Sequence, residues 1–156
     1  MNPELRPRYR IDPRYSRYLL LVSRSPIDGY GVFAGEPIPA NRRVIEYAGQ
    51  RISYREAQKR FQAVTRSGRR RRFYFFVLNR RWVVDGAVGG TGAELINHGC
   101  EPNLIRRRMR GHIYYYSRRR IRAGEELLID YHYSRDTVIQ KCRCGSPKCR
   151  GTLNLK

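Results

Sequence analysis

Acidic residues are scarce in this 156-residue chain: 13 Asp and Glu stand against 33 Lys and Arg, for a formal net charge of +20. Lysine is scarce too. It occurs at positions 59, 141, 148 and 156, which leaves 29 arginines. Long apolar runs are missing: the longest, Tyr18 to Val22 and Phe73 to Leu78, are far too short to span a bilayer. The N-terminal MNPELRPRYR has no apolar stretch of the kind a secretory signal needs. These absences predict a soluble, intracellular chain with no membrane contact. What is present sets the class. A length of 156 residues argues for one domain, monomeric by default, with ample material for a core. A content of 40% hydrophobic and 12% aromatic residues excludes a disordered basic tail.

The arginines come in runs: Arg69 to Arg72, Arg106 to Arg108 and Arg118 to Arg120. Their planar guanidinium suits phosphate, and a charge of +20 draws a protein toward DNA, RNA or acidic membranes at low salt. A GC-rich coding bias that places Arg where Lys would serve produces the same runs, so the clusters alone name no groove.

Along the chain, residues 1–17 mix Arg, Pro and Tyr without a period and read as an extended or frayed arm. Short strands are predicted at Tyr18 to Val22, after the turn at Ser25 to Gly31, at Arg43 to Tyr47, and at Arg51-Ile52. One helix is predicted from Ser53 to Arg66, with Ser53 as N-cap, Glu56 completing a capping box, and Ser67-Gly68 as the stop. Phe73 to Leu78 and Arg81 to Asp85 read as strands around an Asn79-Arg80 turn, followed by His112 to Ser117 and Glu126 to Tyr131. The fold class is therefore mostly β with one main helix, an α+β arrangement of small sheets.

Four cysteines occur, three of them in Cys142-Arg143-Cys144-Gly145-Ser146-Pro147-Lys148-Cys149, with Cys100 apart. Four thiolates complete a tetrahedral zinc site, and the flanking Lys141, Arg143, Lys148 and Arg150 would offset its negative charge. Two disulfides, or unrelated buried thiols, are the alternatives from spacing alone; a reducing compartment argues against disulfides. Gly29-Tyr30-Gly31-Val32-Phe33-Ala34 matches a dinucleotide-binding pattern, but that pattern requires a helix at once, and Pro37 and Pro39 follow. What remains is backbone brought close to something, a bound molecule or a tight turn.

Taken in order, G-x-G (Gly29 to Gly31), Y-x-F-x-L (Tyr74 to Leu78), N-H-x-C-x-P-N (Asn97 to Asn103), G-E-E-L-x-x-D-Y (Gly124 to Tyr131) and C-x-C-x4-C (Cys142 to Cys149) resemble the SET-domain protein lysine methyltransferases. The resemblance covers residue 18 to the C-terminus. It implies an extended N-terminal arm (1–17), a SET catalytic domain (18–134) of small twisted sheets with a pseudoknot, and a post-SET zinc-binding segment (135–156). It implies S-adenosylmethionine held by backbone of Gly29, Tyr30, Gly31 and Val32 and by Asn97 and His98. Zn2+ would be held by Cys100, Cys142, Cys144 and Cys149. Tyr74 and Tyr131 would line an aromatic channel for the target lysine.

Such a channel has a physical task. Lysine has a reference pKa of ~10.4, so about one part in a few thousand is neutral at pH 7. An apolar channel facing a sulfonium lowers that pKa. Tyr131, with a reference pKa of ~10, is a poor base and is expected to align the amine and to contact the methyl through weak C–H···O bonds. Glu94 stands where many relatives carry Arg, which by the resemblance sets a reversed charge beside the cofactor site; Leu95 stands where they carry Phe, and Gly99 where they carry Ser. Ile129, aliphatic two residues before Tyr131, leaves room for higher methylation states. The implied substrate is a lysine-containing protein, a histone or other DNA-associated protein, with DNA contact through the Arg clusters. The location would be the nucleus or chromosome in a eukaryote and the cytoplasm or nucleoid in a bacterium. The alternative is a catalytically silent SET-like module that binds nucleic acid or chromatin through arginine.

Overall fold

A computed structural model describes residues 9–66 and 73–155. The helix stop at Ser67-Gly68 and the Arg69 to Arg72 run lie outside the described residues, as do residues 1–8 of the arm. Among the described residues, ten short strands make four small sheets. β1 (Leu20–Arg24) pairs with β2 (Tyr30–Ala34), and β4 (Gln50–Ser53), β6 (Trp82–Asp85) and β5 (Phe75–Val77) form a three-stranded sheet in the order β4-β6-β5. β3 (Arg43–Tyr47), β9 (His112–Ser117) and β8 (Leu104–Met109) form another in the order β3-β9-β8. All of these pairs are antiparallel; β7 (Asn97–His98) and β10 (Leu128–Ile129) pair in parallel.

The strands follow from alternation. β9 reads His-Ile-Tyr-Tyr-Tyr-Ser and buries Ile113, Tyr115 and Ser117 while turning His112, Tyr114 and Tyr116 outward. Its partner β8 carries the Arg106 to Arg108 run, a strand that composition hides because the cations look like a solvated loop. A two-residue turn joins them, with Arg110 at φ 49° and Gly111 at φ 80°, the left-handed pair that suits the twist of a hairpin.

Helix α1 (Tyr54–Arg66) starts as expected: Ser53 Oγ accepts the Glu56 N–H at 3.1 Å. The Glu56 carboxylate turns to Arg60 at 3.0 Å, so the serine half of the capping box carries the helix start. α1 covers a small apolar cluster of Ile52, Ala57 and Val83; the main core is Val32, Ile38, Val44, Ile45, Ile96, Leu104, Ile113, Ile121 and Leu127 with their neighbours. The described part of the arm is docked. Arg17 N–H donates to the Val44 carbonyl and Tyr15 accepts from Glu46 N–H, so the segment runs beside β3. Among the described residues no helix is long and apolar enough to cross a membrane.

Candidate active site and metal centre

The parallel pair β7–β10 is the hub of the site. Leu128 lies opposite Asn97 and Ile129 opposite His98, and Gly99 N–H donates to the Ile129 carbonyl at 3.2 Å. Parallel strands cannot be joined by a tight turn, and here the β8–β9 hairpin fills the crossover. Asn103, 2% exposed, fastens the junction. Its Nδ2 donates to the Glu126 carbonyl at 2.8 Å and to Glu125 Oε1 at 3.1 Å, and its Oδ1 accepts the Leu128 N–H at 2.8 Å.

Asn97 reaches toward the glycine turn. Its Nδ2 donates to Glu126 Oε1 at 2.9 Å and to the Tyr30 carbonyl at 3.1 Å. Gly31 sits against both groups: a Cβ there would lie 2.2 Å from Glu126 Oε1 and 3.1 Å from Asn97 Nδ2. This close approach is what the G-x-G turn serves within the protein itself. Buried His98 accepts the Tyr131 N–H on Nδ1 at 3.1 Å, which places its own hydrogen on Nε2, 3.4 Å from Cys100 Sγ. Burial depresses the imidazole to about 4, with Asp130 opposing, so the ring is neutral.

Two cavities meet at these residues. One, of ≈ 430 Å³, has aromatic walls that include Tyr47, Tyr74, Phe76, Tyr115, Tyr131 and Tyr133. Tyr47 Oη donates to the Tyr74 carbonyl, and the Tyr47 ring lies 5.2 Å from Phe76 and 6.1 Å from Tyr115. Burial pushes the Tyr47 and Tyr115 hydroxyls well above their ordinary range, so the inner wall is uncharged. Among the described residues the carboxyl groups on this lining are Asp28, Glu94 and Asp130, and the cation is Arg106. The second cavity, of ≈ 590 Å³, is lined by Ile27, Asp28, Asn97, His98, Tyr131, Gln140, Lys141, Cys142, Arg143 and Leu153. Tyr131 belongs to both, and its Oη donates to the Ile96 carbonyl at 2.9 Å.

Glu94 lies in the aromatic cavity's wall, absent from the lining of the second cavity. It is 7% exposed; Oε2 accepts the Gly92 N–H at 2.8 Å, while Oε1 is buried without a hydrogen-bond partner. Burial raises the acid to about 7.

Of the residues singled out from the sequence, Tyr74, Asn97 and Tyr131 line the aromatic cavity and Asn97, His98 and Tyr131 the second one. Gly29, Tyr30, Gly31 and Val32 line neither. Val32 is fully buried in β2 with its carbonyl accepting the Leu127 N–H, and the Tyr30 ring lies under the Arg24 guanidinium at 4.7 Å. Asp28, Gln140 and Leu153 line both cavities. Asp28 adjoins the glycine turn and was within reach of motif reading. Gln140 and Leu153 arrive from the tail and carry no local pattern.

The four cysteines are free thiols whose sulfurs lie within 4.8 Å of one another. Cys100 Sγ is 3.7 Å from Cys142 Sγ and 4.0 Å from Cys149 Sγ. Tetrahedral zinc with Zn–S bonds of about 2.3 Å sets its sulfurs about 3.8 Å apart, so the group fits that ion. The Arg150 N–H donates to Cys100 Sγ at 3.3 Å and the Gly151 N–H to Cys149 Sγ at 3.4 Å, donors that stabilise thiolates. Arg150 then forks onto Asp130, at 2.5 and 2.9 Å, tying the tail to the end of β10. Burial alone would raise the Asp130 carboxyl, but Arg150 and the His132 N–H hold it below the ordinary range.

The sequence profile of the family described as "SET domain" matches residues 29–132. The chain is 36% identical over 139 residues to a histone-lysine N-methyltransferase, H3 lysine-4 specific, of Candida albicans, covering 85% of this chain and 13% of that protein. It is 35% identical over 150 residues to human histone-lysine N-methyltransferase SETD1B, covering 90% of this chain and 7% of that protein. With histone-lysine N-methyltransferase ATX2 of Arabidopsis thaliana the identity is 36% over 142 residues, 88% of this chain and 10% of the relative. The chain thus spans a small fraction of the length of the curated relatives it matches.

Proposed function

The chain belongs to the SET-domain family, and on that premise we propose that it is a protein-lysine N-methyltransferase that uses S-adenosylmethionine and acts on a basic, chromatin-associated protein, with a histone tail as the substrate class. One observation carries the reading: an aromatic cavity and a polar cavity meet at Tyr131 and Asn97. A two-substrate transfer needs two entrances that join at the reacting atoms.

The second cavity fits the cofactor in its donor set. Asn97 and His98 would hold it from the β7 side and Gln140 from the tail; Lys141 and Arg143 would face its carboxylate, and Ile27 and Leu153 its apolar parts. S-adenosylmethionine supplies a methyl group on a sulfonium when bound. The chain's residues do the rest by position. The Tyr47, Tyr74 and Tyr115 wall excludes water from the lysine side chain and, being apolar and uncharged, favours its neutral amine. Tyr131 gives its hydroxyl hydrogen to the Ile96 carbonyl, so its oxygen would be left to act as an acceptor toward the cofactor's methyl. His98, neutral, holds the Tyr131 backbone and with it the ring. Ile129 lines the same cavity without a hydroxyl, which supports the addition of more than one methyl group.

The carboxyl groups of Asp28, Glu94 and Asp130 set this lining apart from the arginine-rich surface, which supports a basic substrate. The relatives' names, histone-lysine N-methyltransferases, point to the same class. The cysteine group would hold Zn2+ as a structural ion. A chromatin location follows for a eukaryotic source.

The test is radiolabelled methyl transfer by zinc-loaded protein to core histones and nucleosomes, with cofactor binding followed by calorimetry. Transfer that falls at least about 100-fold in Tyr131→Phe, with cofactor affinity kept, is the expected result. Cofactor binding with no transfer to any lysine substrate would establish the silent module instead.

A further inference from the structure

The sheet β3–β9–β8 has two faces with different chemistry. Inward, Tyr47, Tyr115 and Arg106 contribute to the wall of the aromatic cavity. Outward, the alternation presents Arg43 and Glu46 from β3, His112, Tyr114 and Tyr116 from β9, and Ile105, Arg107 and Met109 from β8. The Arg43 guanidinium lies over the Tyr114 ring at 4.8 Å and that of Arg107 over the Tyr116 ring at 4.5 Å. Cation–π contact holds each guanidinium and leaves its N–H edges to solvent. Glu46, an acid on this face, is hydrogen-bonded to His112 Nδ1 at 2.6 Å.

The chain just past the end of β9 is cationic as well. Arg42 N–H donates to Ser117 Oγ at 2.9 Å, which sets the start of β3 beside the exposed Arg118 to Arg120 run. There Arg119, Arg120 and Arg122 line an open concavity of ≈ 1080 Å³ whose acid, Glu125, is bonded by Arg119.

We propose that the outward face of the β3–β9–β8 sheet, with the arginine concavity at its end, is a docking surface for the phosphate backbone of duplex DNA. Duplex is favoured over single strands by how the rings are used. Tyr114 is covered by Arg43 and stacked at 5.8 Å with His112, and Tyr116 is covered by Arg107, so they are engaged within the protein rather than offered to unpaired bases. Beside the exposed Ile105 and Met109, the face offers oriented guanidiniums that read charge rather than sequence. Because the opposite face of the same sheet walls the lysine cavity, DNA docked here would hold a DNA-bound substrate next to the site.

The binding arm of the test is independent of any methyl transfer. Fluorescence anisotropy with a labelled duplex of about 30 bp, titrated across salt, is expected to show log K falling with log salt, and the Arg43→Glu/Arg107→Glu variant to lose about 1.8 of that slope. At about 0.1 M salt the same variant should bind at least about tenfold more weakly, and the milder Arg107→Gln should show part of the effect. Calorimetric cofactor binding, which does not use this face, should be unchanged in both and reports that the fold is intact. An unchanged slope and affinity in the double variant, or a single strand of equal length bound as tightly as the duplex, would overturn the assignment. Methylation of free histone kept while that of nucleosomes drops would further support it, although that arm rests on the activity proposed above.

Discussion

The two halves of the site are held by unlike means. The strand-built half, from β3, β7, β9 and β10, stands on buried apolar residues such as Val44, Ile45, Ile96 and Ile113 and on backbone pairing. The tail half, residues 135–155, buries Cys142 and Asn154 and little else, and leaves Val138 at 84% and Ile139 at 76% exposure. A segment with so little apolar burial cannot offset its own ordering entropy. Its order rests instead on hydrogen bonds, above all those of Asn154 and the Arg150–Asp130 fork, and the four thiols are placed to add an ion. Yet Gln140 and Leu153 from this half line both cavities, so the less self-sufficient region completes the site.

The sharpest way to break the comparison is to remove the ion. Chelation of the zinc-loaded protein, or Cys142→Ser, should abolish hydrogen-exchange protection over residues 139–155 while β3 and β9 stay protected, since a structural zinc contributes roughly 10 kcal/mol or more. Protection unchanged throughout would mean that the tail holds itself. The next largest effect should lie in the strand half. Asn103→Ala removes three hydrogen bonds at a 2% exposed site and should cost about 4 kcal/mol by urea unfolding.

Glu94 gives a pH signature to the aromatic half. Burial raises its folded pKa from 4.5 to about 7, so between those values the folded state keeps a proton that the unfolded state has lost. Its contribution to stability is therefore full below about pH 4.5 and falls as pH rises through 7, by roughly 3 kcal/mol in total. The difference between wild type and Glu94→Gln should carry that slope between about pH 4 and 8, as about that change in unfolding free energy; a flat difference would show that the acid is solvated. The smallest effect belongs to the exposed tail: Ile139→Ser should change stability by less than about 0.5 kcal/mol.

Much of this was legible in the chain. β3 matches its expected run from Arg43 to Tyr47, and α1 begins one residue after the serine read as its cap. The ordered motifs gave the family. β8 was not foreseen, because three arginines inside a strand have no apolar period of their own and take their register from β9. The charge reversal at Glu94 was readable as a substitution, but its expected place beside the cofactor differs from its place in the aromatic wall, since sequence does not say which of two adjoining cavities a side chain walls.

By itself, then, the sequence determined the elements with local causes: the capped helix, the alternating strands, and a thiol loop whose spacing can wrap a metal. Tertiary structure alone decided that Asn97 meets Glu126 across Gly31, that Cys100 joins three distant thiols, and that one sheet has an aromatic inner face and a cationic outer one. The physical reason is range. Caps, turns and alternation act within a few residues, whereas a parallel strand pair, a four-thiol group and a cavity wall exist only after packing brings remote segments into contact.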